Sequence, residues 1–331
     1  GPLFDGGGRL IGINGRGSFE KRGRVNVGVG YAISINQAER FIGCLKSGRI
    51  VDHASLGATV AADEHGRVVV DDILEHSDAF RRGLRYDDRL MRFGNRDIDS
   101  VNDFKNILGT YPRNWRVPIV FSRDGRRIEA AVRLAGLHRE GELVELVSGG
   151  RNFAPPMPDG DEPKPQPQGV QQLAELLLEL PQVVRDHYEA RPGYANYWFN
   201  RYHQQRVWNA YLAQTDFAGT GPNWRITGLT DTGDQVSIEV TDAEGTFGHP
   251  MGISKSDFSR PASDVVAPVG SGGLLAALRT WQRLVTVGLR RFGEIEYLGQ
   301  LPWGLPPGRA DCLVGLYGGA ECRFYFARTT G

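Results

Sequence analysis

The sequence predicts a β-rich chain built from several domains, and three observations support this fold class. The 331 residues are enough for two or three domains. Short apolar runs separated by glycine-containing turns recur along the chain, a pattern typical of antiparallel strands. The polar segment 137–169, proline-rich from Arg151 to Gly169, is typical of a semi-extended linker. We therefore predict domains at 1–50, 51–136 and 170–331, with the linker at 137–169.

Composition excludes several classes of partner. Lys and Arg together number 39, as do Asp and Glu, so no net charge attracts nucleic acid. No apolar run approaches the roughly 18 residues that span a bilayer. The three cysteines are too few and too scattered for a zinc site or a disulfide framework, although a Cys312–Cys322 bridge stays open. The histidines lack metal-ligand spacing. We expect no metal and no cofactor.

The first segment, 1–50, predicts two strands followed by a helix. The strand-like runs are Arg9–Asn14 and Val27–Ser34, with a polar loop between them. The following stretch places Ala38, Phe41, Ile42 and Leu45 at helical spacing and ends at Gly48. The pattern predicts a piece of a β-barrel or sandwich that carries one short helix.

The second segment, 51–136, predicts short strands around two helices. Ser100 is a suitable N-cap for the second helix, with Asp103 three residues later. Phe104, Ile107 and Leu108 form one apolar face of this helix. We assign Ile107 to the core.

The third segment, 170–331, predicts an α+β domain with helices on one side of an antiparallel sheet. A helix with Leu173, Leu176, Leu177 and Leu180 on one stripe comes first. Two hairpins follow, one at 224–240 and one at 311–328. In the second hairpin Cys322, Phe324 and Phe326 alternate with Arg323 and Tyr325, so the two sets face opposite sides.

Ser271 lies in a Gly-Ser-Gly-Gly run that copies part of a serine-protease nucleophile motif. A strong helical stripe starts directly after it, with Leu274, Leu278, Trp281 and Val285. A serine at such a place satisfies an otherwise unbonded N–H at a helix start. We therefore predict that Ser271 is the helix N-cap and not a nucleophile.

The opening of the chain resembles the end of the trypsin-like domain of HtrA/DegP-family serine proteases. The matching runs are Gly1–Leu3, Ile11–Asn14 and Gly28–Ile33, of which Gly1-Pro2 could instead be left by a purification tag. The resemblance implies the end of a trypsin-like β-barrel, with the nucleophilic serine two residues before Gly1 and its His and Asp further upstream. It places no catalytic residue in this chain, which is expected to be inactive alone. It also implies a substrate-pocket wall formed by Gly28, Val29, Gly30, Tyr31 and Ala32.

Residues 56–134 resemble a PDZ domain of the bacterial protease type. The family signature is recognisable from Val70, Ile73 and Ser77 through Gly83-Leu84 and Asp88 to Leu90 and Gly94. Asp78, Arg82 and Asp87 depart from it, replacing Pro, Ala and Gly. The resemblance implies a carboxylate-binding loop, a strand that receives the peptide and an opposing helix wall. The implied peptide-binding residues are Leu56, Gly57, Ala58, Thr59, Val60, Phe104 and Leu108.

A protease tail followed by a PDZ domain is the HtrA order, and it implies a quality-control serine endopeptidase. The implied partners are unfolded proteins or C-terminal peptides, with homo-oligomers formed through the protease domain. The implied location is the periplasm or cell envelope. One alternative is a non-enzymatic PDZ adaptor with a degenerate protease domain; another is a third domain that binds an apolar ligand. An upstream His, Asp and G-x-S-G-G in order would favour the enzyme.

The last strand also predicts more chain. A long aromatic strand at a sheet edge is an aggregation liability that proteins usually cover. We therefore expect the natural protein to continue beyond Gly331 with a strand that pairs with Cys322–Ala327. The alternative is that Cys322–Ala327 lies inside the sheet, between the 311–317 strand and the 223–230 hairpin.

Overall fold

A computed structural model describes residues 1–19, 26–139, 141–143, 145, 181–214, 220–303 and 308–327. The chain divides into two units, Gly1–Trp198 and Phe199–Gly331. Most of the predicted linker and the predicted helix around Leu173–Leu180 lie outside the described residues. The model is β-rich, with several separate sheets.

The first sheet has three antiparallel strands in the order β1-β2-β3: β1 (Pro2–Phe4), β2 (Leu10–Phe19) and β3 (Asn26–Ser34). Both predicted strands are present, but β2 continues to Phe19 through the stretch predicted as a polar loop. The strand continues because Arg16 and Gly17 pair with β3. The pairing register shifts before and after these two residues, which accommodates the unpaired residues.

The helix α1 (Ile35–Leu45) follows β3 directly. Its N-cap is Ser34, whose Oγ accepts the N–H of Gln37 at 3.2 Å. Gly48 has φ +73° just beyond the helix end, as the sequence predicts for its stop. The predicted apolar stripe is open to solvent at its end, because Ile42 and Leu45 are 50% and 53% exposed.

The second sheet is formed by residues 58–133, with a two-stranded piece beside it. The strands are β4 (Ala54–Ser55), β5 (Ala58–Ala62), β6 (Val68–Ile73), β7 (Arg89–Phe93), β8 (Arg96–Asp97), β9 (Arg116–Arg123), β10 (Arg126–Arg133) and β11 (Ala135–Gly136). The sheet order is β10-β9-β7-β6-β5, with β8 on β7, while β11 pairs with β4. The two predicted helices are α2 (Asp78–Arg81) and α3 (Val101–Leu108), and Ser100 caps α3 as predicted.

A buried carboxylate ties the turn before β7 to β9. Asp88 is fully buried and accepts hydrogen bonds from Arg123 Nε and Nη2, both at 2.7 Å. It also accepts the backbone N–H of Arg85 at 2.7 Å. The preceding residue, Asp87, has φ +65°, a conformation that explains why the family signature has glycine there. This departure from the signature is thus accommodated by a strained backbone.

The second unit contains two antiparallel sheets, where the sequence predicts one. Before it, α4 (Gln182–Arg185) lies in the first unit, and α5 (Tyr197–Leu212) begins at the boundary between the units. One sheet has the order β12-β13-β14-β15, with β12 (Trp224–Leu229), β13 (Gln235–Val240), β14 (Glu244–His249) and β15 (Gly252–Asp257). The other has the order β16-β17-β18, with β16 (Ile295–Trp303), β17 (Gly308–Tyr317) and β18 (Ala320–Ala327). A short 3-10 helix (Ala262–Asp264) precedes α6 (Leu274–Val287) and α7 (Leu289–Phe292).

The predicted alternation of β18 is confirmed. Phe324 and Phe326 belong to a buried aromatic cluster and Cys322 packs against it, whereas Tyr325 stacks on Trp303. The cysteines are free, so the Cys312–Cys322 bridge left open by the sequence is absent. β18 pairs with β17, and β12 belongs to the other sheet, so the predicted alternative of a position between them is wrong.

Ser271 supports the start of α6 in a way that differs from the prediction. The N-cap residue is Gly273, in the left-handed conformation. Ser271 Oγ accepts the N–H groups of Gly273 and Leu274 at 3.3 and 3.1 Å. The prediction is wrong about the cap position by two residues, because consecutive glycines with positive φ tighten the turn before the helix. Among the described helices, none is long and apolar enough to cross a membrane.

Candidate peptide-binding site

The strand β5 is the end strand of its sheet. It pairs with β6 on one side, and no strand of the described residues pairs with its other edge. The helix α3 packs near both β5 and β7. An open strand edge with a helix nearby is the arrangement that can accept an extended peptide as an additional strand.

The main-chain groups of β5 alternate between β6 and the open edge. The carbonyl of Gly57 accepts the N–H of Leu74 at 2.9 Å, and the N–H of Asp63 donates to Arg67 at 2.9 Å. In an antiparallel pair, hydrogen-bonded and non-bonded positions alternate along the strand. Between Gly57 and Asp63, every second residue therefore turns its N–H and C=O toward the open edge. Allowing for the bulge at Thr59/Val60, the outward positions are Ala58, Val60 and Ala62.

The loop before β5 has a backbone that only glycine adopts easily. Gly57 has φ +74°, and a Cβ there would lie 2.6 Å from the Cβ of Ser77. Its N–H donates to Ser55 Oγ at 3.1 Å, and Leu56 beside it is 3% exposed. Ser55 and Ser77 thus shape the loop, and sequence reasoning missed both roles because they depend on residues that meet only in the fold.

Of the two residues predicted to face the peptide from α3, only Leu108 is accessible, and Val101 is accessible beside it. Phe104 is 3% exposed and its ring lies edge-on to Phe93, with centroids 5.3 Å apart. Leu108 is half-buried, as is Val101 at the first turn of α3. Val101 and Leu108 are seven positions apart, so both lie on one face of the helix. Sequence reasoning missed Val101, although the same spacing was available to find it.

The residues predicted for a substrate-pocket wall lie on the first sheet, away from β5. Gly28 to Ala32 belong to β3, where Gly30 is opposite Gly17 and Ala32 is opposite Asn14. Their sheet is separate from that of β5. The structure therefore places the predicted pocket wall and the predicted carboxylate loop on different sheets.

One ion pair lies at the start of the segment that leads into the loop. Asp52 is 2% exposed and its Oδ1 is 3.0 Å from His138 Nδ1, while its Oδ2 accepts the backbone N–H of His138 at 2.7 Å. Burial alone would raise the pKa of Asp52, but the hydrogen bonds and charge of His138 overcome this and lower it. The hydrogen bond to Asp52, with the charges of Asp52 and Glu142, raises the pKa of His138 above its ordinary 6.5.

Comparison with known proteins finds similar proteins whose names agree with the resemblance seen in the sequence motifs. A probable periplasmic serine endoprotease, DegP-like, from Rickettsia prowazekii (strain Madrid E) is 26% identical over 151 residues, 42% of this chain. The chain resembles DegP-like serine endoproteases. A second such protein, from Chlamydia trachomatis serovar D, is 26% identical over 163 residues, 44% of this chain. The chain covers only 29% and 31% of the length of these relatives, and no family model matches it.

Solved structures of HtrA-type proteases are also similar to part of the chain. The HtrA-type protease AlgW with a decapeptide is 21% identical with a TM-score of 0.30, covering 42% of this chain and 45% of that one. The serine endoprotease from Yersinia pestis is 22% identical with a TM-score of 0.27, covering 41% of this chain and 47% of that one.

Proposed function

We propose that residues 51–136 form a PDZ-type domain that binds the C-terminal segment of a polypeptide as an added strand on β5. The observation that carries this proposal is the open edge of β5 beside α3. Ala58, Val60 and Ala62 would supply the main-chain hydrogen bonds, which give affinity without sequence preference. The half-buried Val101 and Leu108 would form the apolar wall opposite the peptide side chains.

The loop Leu56-Gly57-Ala58 would hold the terminal carboxylate. Successive backbone N–H groups in a turn with positive φ form a concave site for an anion. Gly57 supplies that conformation. Its N–H now donates to Ser55 Oγ, and on binding it would donate to a carboxylate oxygen of the peptide instead. Hydrogen bonds to a charged group are stronger than those to a hydroxyl, so the exchange favours the bound peptide.

We infer that the whole protein is a periplasmic serine endopeptidase of the HtrA type that acts on unfolded proteins. The relatives named DegP-like support this, as does the exposed apolar surface of the first sheet. The exposed side chains there are Leu3, Phe4, Leu10, Ile11, Ile13 and Ile33. A large exposed apolar patch is typical of a surface that packs against other protein. The sheet would belong to a trypsin-like barrel that also mediates homo-oligomers, with Gly28–Ala32 in the substrate-pocket wall.

Hydrogen exchange on β5 tests the peptide-binding proposal. We expect a peptide with an aliphatic C-terminus to slow exchange at Ala58, Val60 and Ala62, because these amides would gain partners. The amides of Thr59 and Ala61 already face β6 and should change little. Slowing at neither set, or protection of amides only outside β5 and its loop, would contradict the proposed binding mode.

A further inference from the structure

A buried carboxylate fastens the segment that leads into the proposed carboxylate loop. β4 directly precedes Leu56, and it pairs with β11 through Ser55 opposite Ala135 and Ala54 opposite Gly136. The N–H of Leu137 donates to the carbonyl of His53 at 3.0 Å, which continues this pairing. Asp52 and His138 lie at its end, and the carboxylate of Asp52 accepts both the backbone and the ring nitrogen of His138.

The pair is linked to the loop through the short strand β4. Asp52 is four residues before Leu56, and Ser55 Oγ accepts the N–H of Gly57 at 3.1 Å. Asp52 is 2% exposed, whereas the ring of His138 is 33% exposed and can exchange its proton with solvent. Loss of that proton would remove the positive charge beside a buried carboxylate and leave only the weaker hydrogen bond of a neutral ring N–H, which is a less favourable state.

We propose that Asp52 and His138 are positioning residues that form a pH-sensitive latch on the Leu56–Gly57–Ala58 loop. The latch is closed when the imidazole carries a proton and loosens as the pH rises. This inference rests on the peptide-binding function proposed above. A periplasmic or envelope protein meets the external pH, so a latch of this kind would link peptide affinity to the medium.

Other charged groups around the pair do not remove its pH dependence. Glu142 adds negative charge near His138 and favours the protonated ring. Arg113 donates its backbone N–H to the carbonyl of Asp52 at 3.1 Å, and its side chain adds positive charge near Gly136, beside the carboxylate of Asp52. His53 is engaged with the carbonyl of Gly109 through Nδ1 at 3.2 Å. Arg139 follows His138 in the chain, and its backbone N–H donates to Glu142 at 3.4 Å.

The sign of the effect follows from the two shifts. The pKa of His138 is raised, so its contribution to stability is fully present at pH values below the ordinary pKa of histidine. That contribution is lost as the pH rises through the raised pKa. A lowered pKa of Asp52 means that its contribution is lost as the pH falls through the lowered value. The latch is therefore closed between these two limits.

Peptide titrations across pH test the latch on the full chain. From about pH 5.5 to about pH 8.5, the dissociation constant of wild-type protein should rise about threefold, while His138→Gln should show a flat profile. The control His65→Gln changes an exposed turn and should keep the wild-type profile. A wild-type profile in His138→Gln would overturn the latch.

A second measurement separates the latch from the binding proposal. If no peptide binds at any pH, the proposed function fails, but exchange rates of the Leu56–Ala58 amides still report the latch. These amides should exchange about threefold faster in His138→Gln than in wild type near pH 6, with equal rates near pH 8.5. Equal rates at both pH values would overturn the latch.

Discussion

Replacing Phe104 by alanine is expected to lower the free energy of unfolding of the first unit by about 3–5 kcal/mol. The ring is 3% exposed and lies edge-on to Phe93, which is itself fully buried. Truncation therefore leaves a cavity between α3 and β7 that the sheet cannot easily fill. Chemical denaturation followed by fluorescence or circular dichroism measures the loss.

Two variants of the same helix make this prediction specific. Lys105→Ala alters an exposed position next to Phe104 and should change stability by less than about 0.5 kcal/mol. Leu108→Ala removes a half-buried side chain, so we expect a smaller loss of stability together with weaker peptide binding. If Phe104→Ala were as stable as Lys105→Ala, the packing assigned to Phe104 would be wrong.

Replacing Gly57 by alanine should weaken peptide binding at least about tenfold, because the new Cβ forces the loop to move. The Cβ would lie 2.6 Å from Ser77 Cβ, closer than two carbon atoms that are not bonded to each other can approach. The left-handed backbone at φ +74° adds about 1–2 kcal/mol of strain. Calorimetric titration with a peptide and thermal unfolding measure the two effects separately.

Gly66 provides a matched control for Gly57. It also has φ +74°, but no atom lies within 4 Å of the position its Cβ would take. Gly66→Ala should therefore cost the backbone strain alone and leave peptide affinity unchanged. Equal losses of affinity in the two variants would show that the contact with Ser77 does not shape the loop.

The sequence predicted local features wherever one residue type dictates them. Ser100 caps its helix as expected, because a hydroxyl before a helical run has one favourable role. The hairpins of the second unit follow from strand alternation and turn glycines. The β5 loop was located by the family resemblance, and its glycine has the left-handed backbone that few other residues adopt easily.

Features that depend on distant partners could not be predicted in this way. Phe104 and Leu108 belong to the same predicted apolar face, and only the position of Phe93 shows which of them is buried deeply. Asp52 and His138 are 86 residues apart, so no local pattern connects them. The division of the third segment into two sheets likewise depends on which strands pair, a choice that alternation leaves open.

The most direct test of the central claim compares a peptide that ends in a free carboxylate with the same peptide carrying a C-terminal amide. A carboxylate held by charge-assisted hydrogen bonds contributes about 1.5–3 kcal/mol, so the amide should bind about tenfold more weakly or worse. Titrations at one pH and salt concentration, with Gly66→Ala as a folded control, make the comparison clean. Stronger binding of the free acid, with the difference lost in Gly57→Ala, is the result the account predicts. Equal affinity of the two peptides would contradict it.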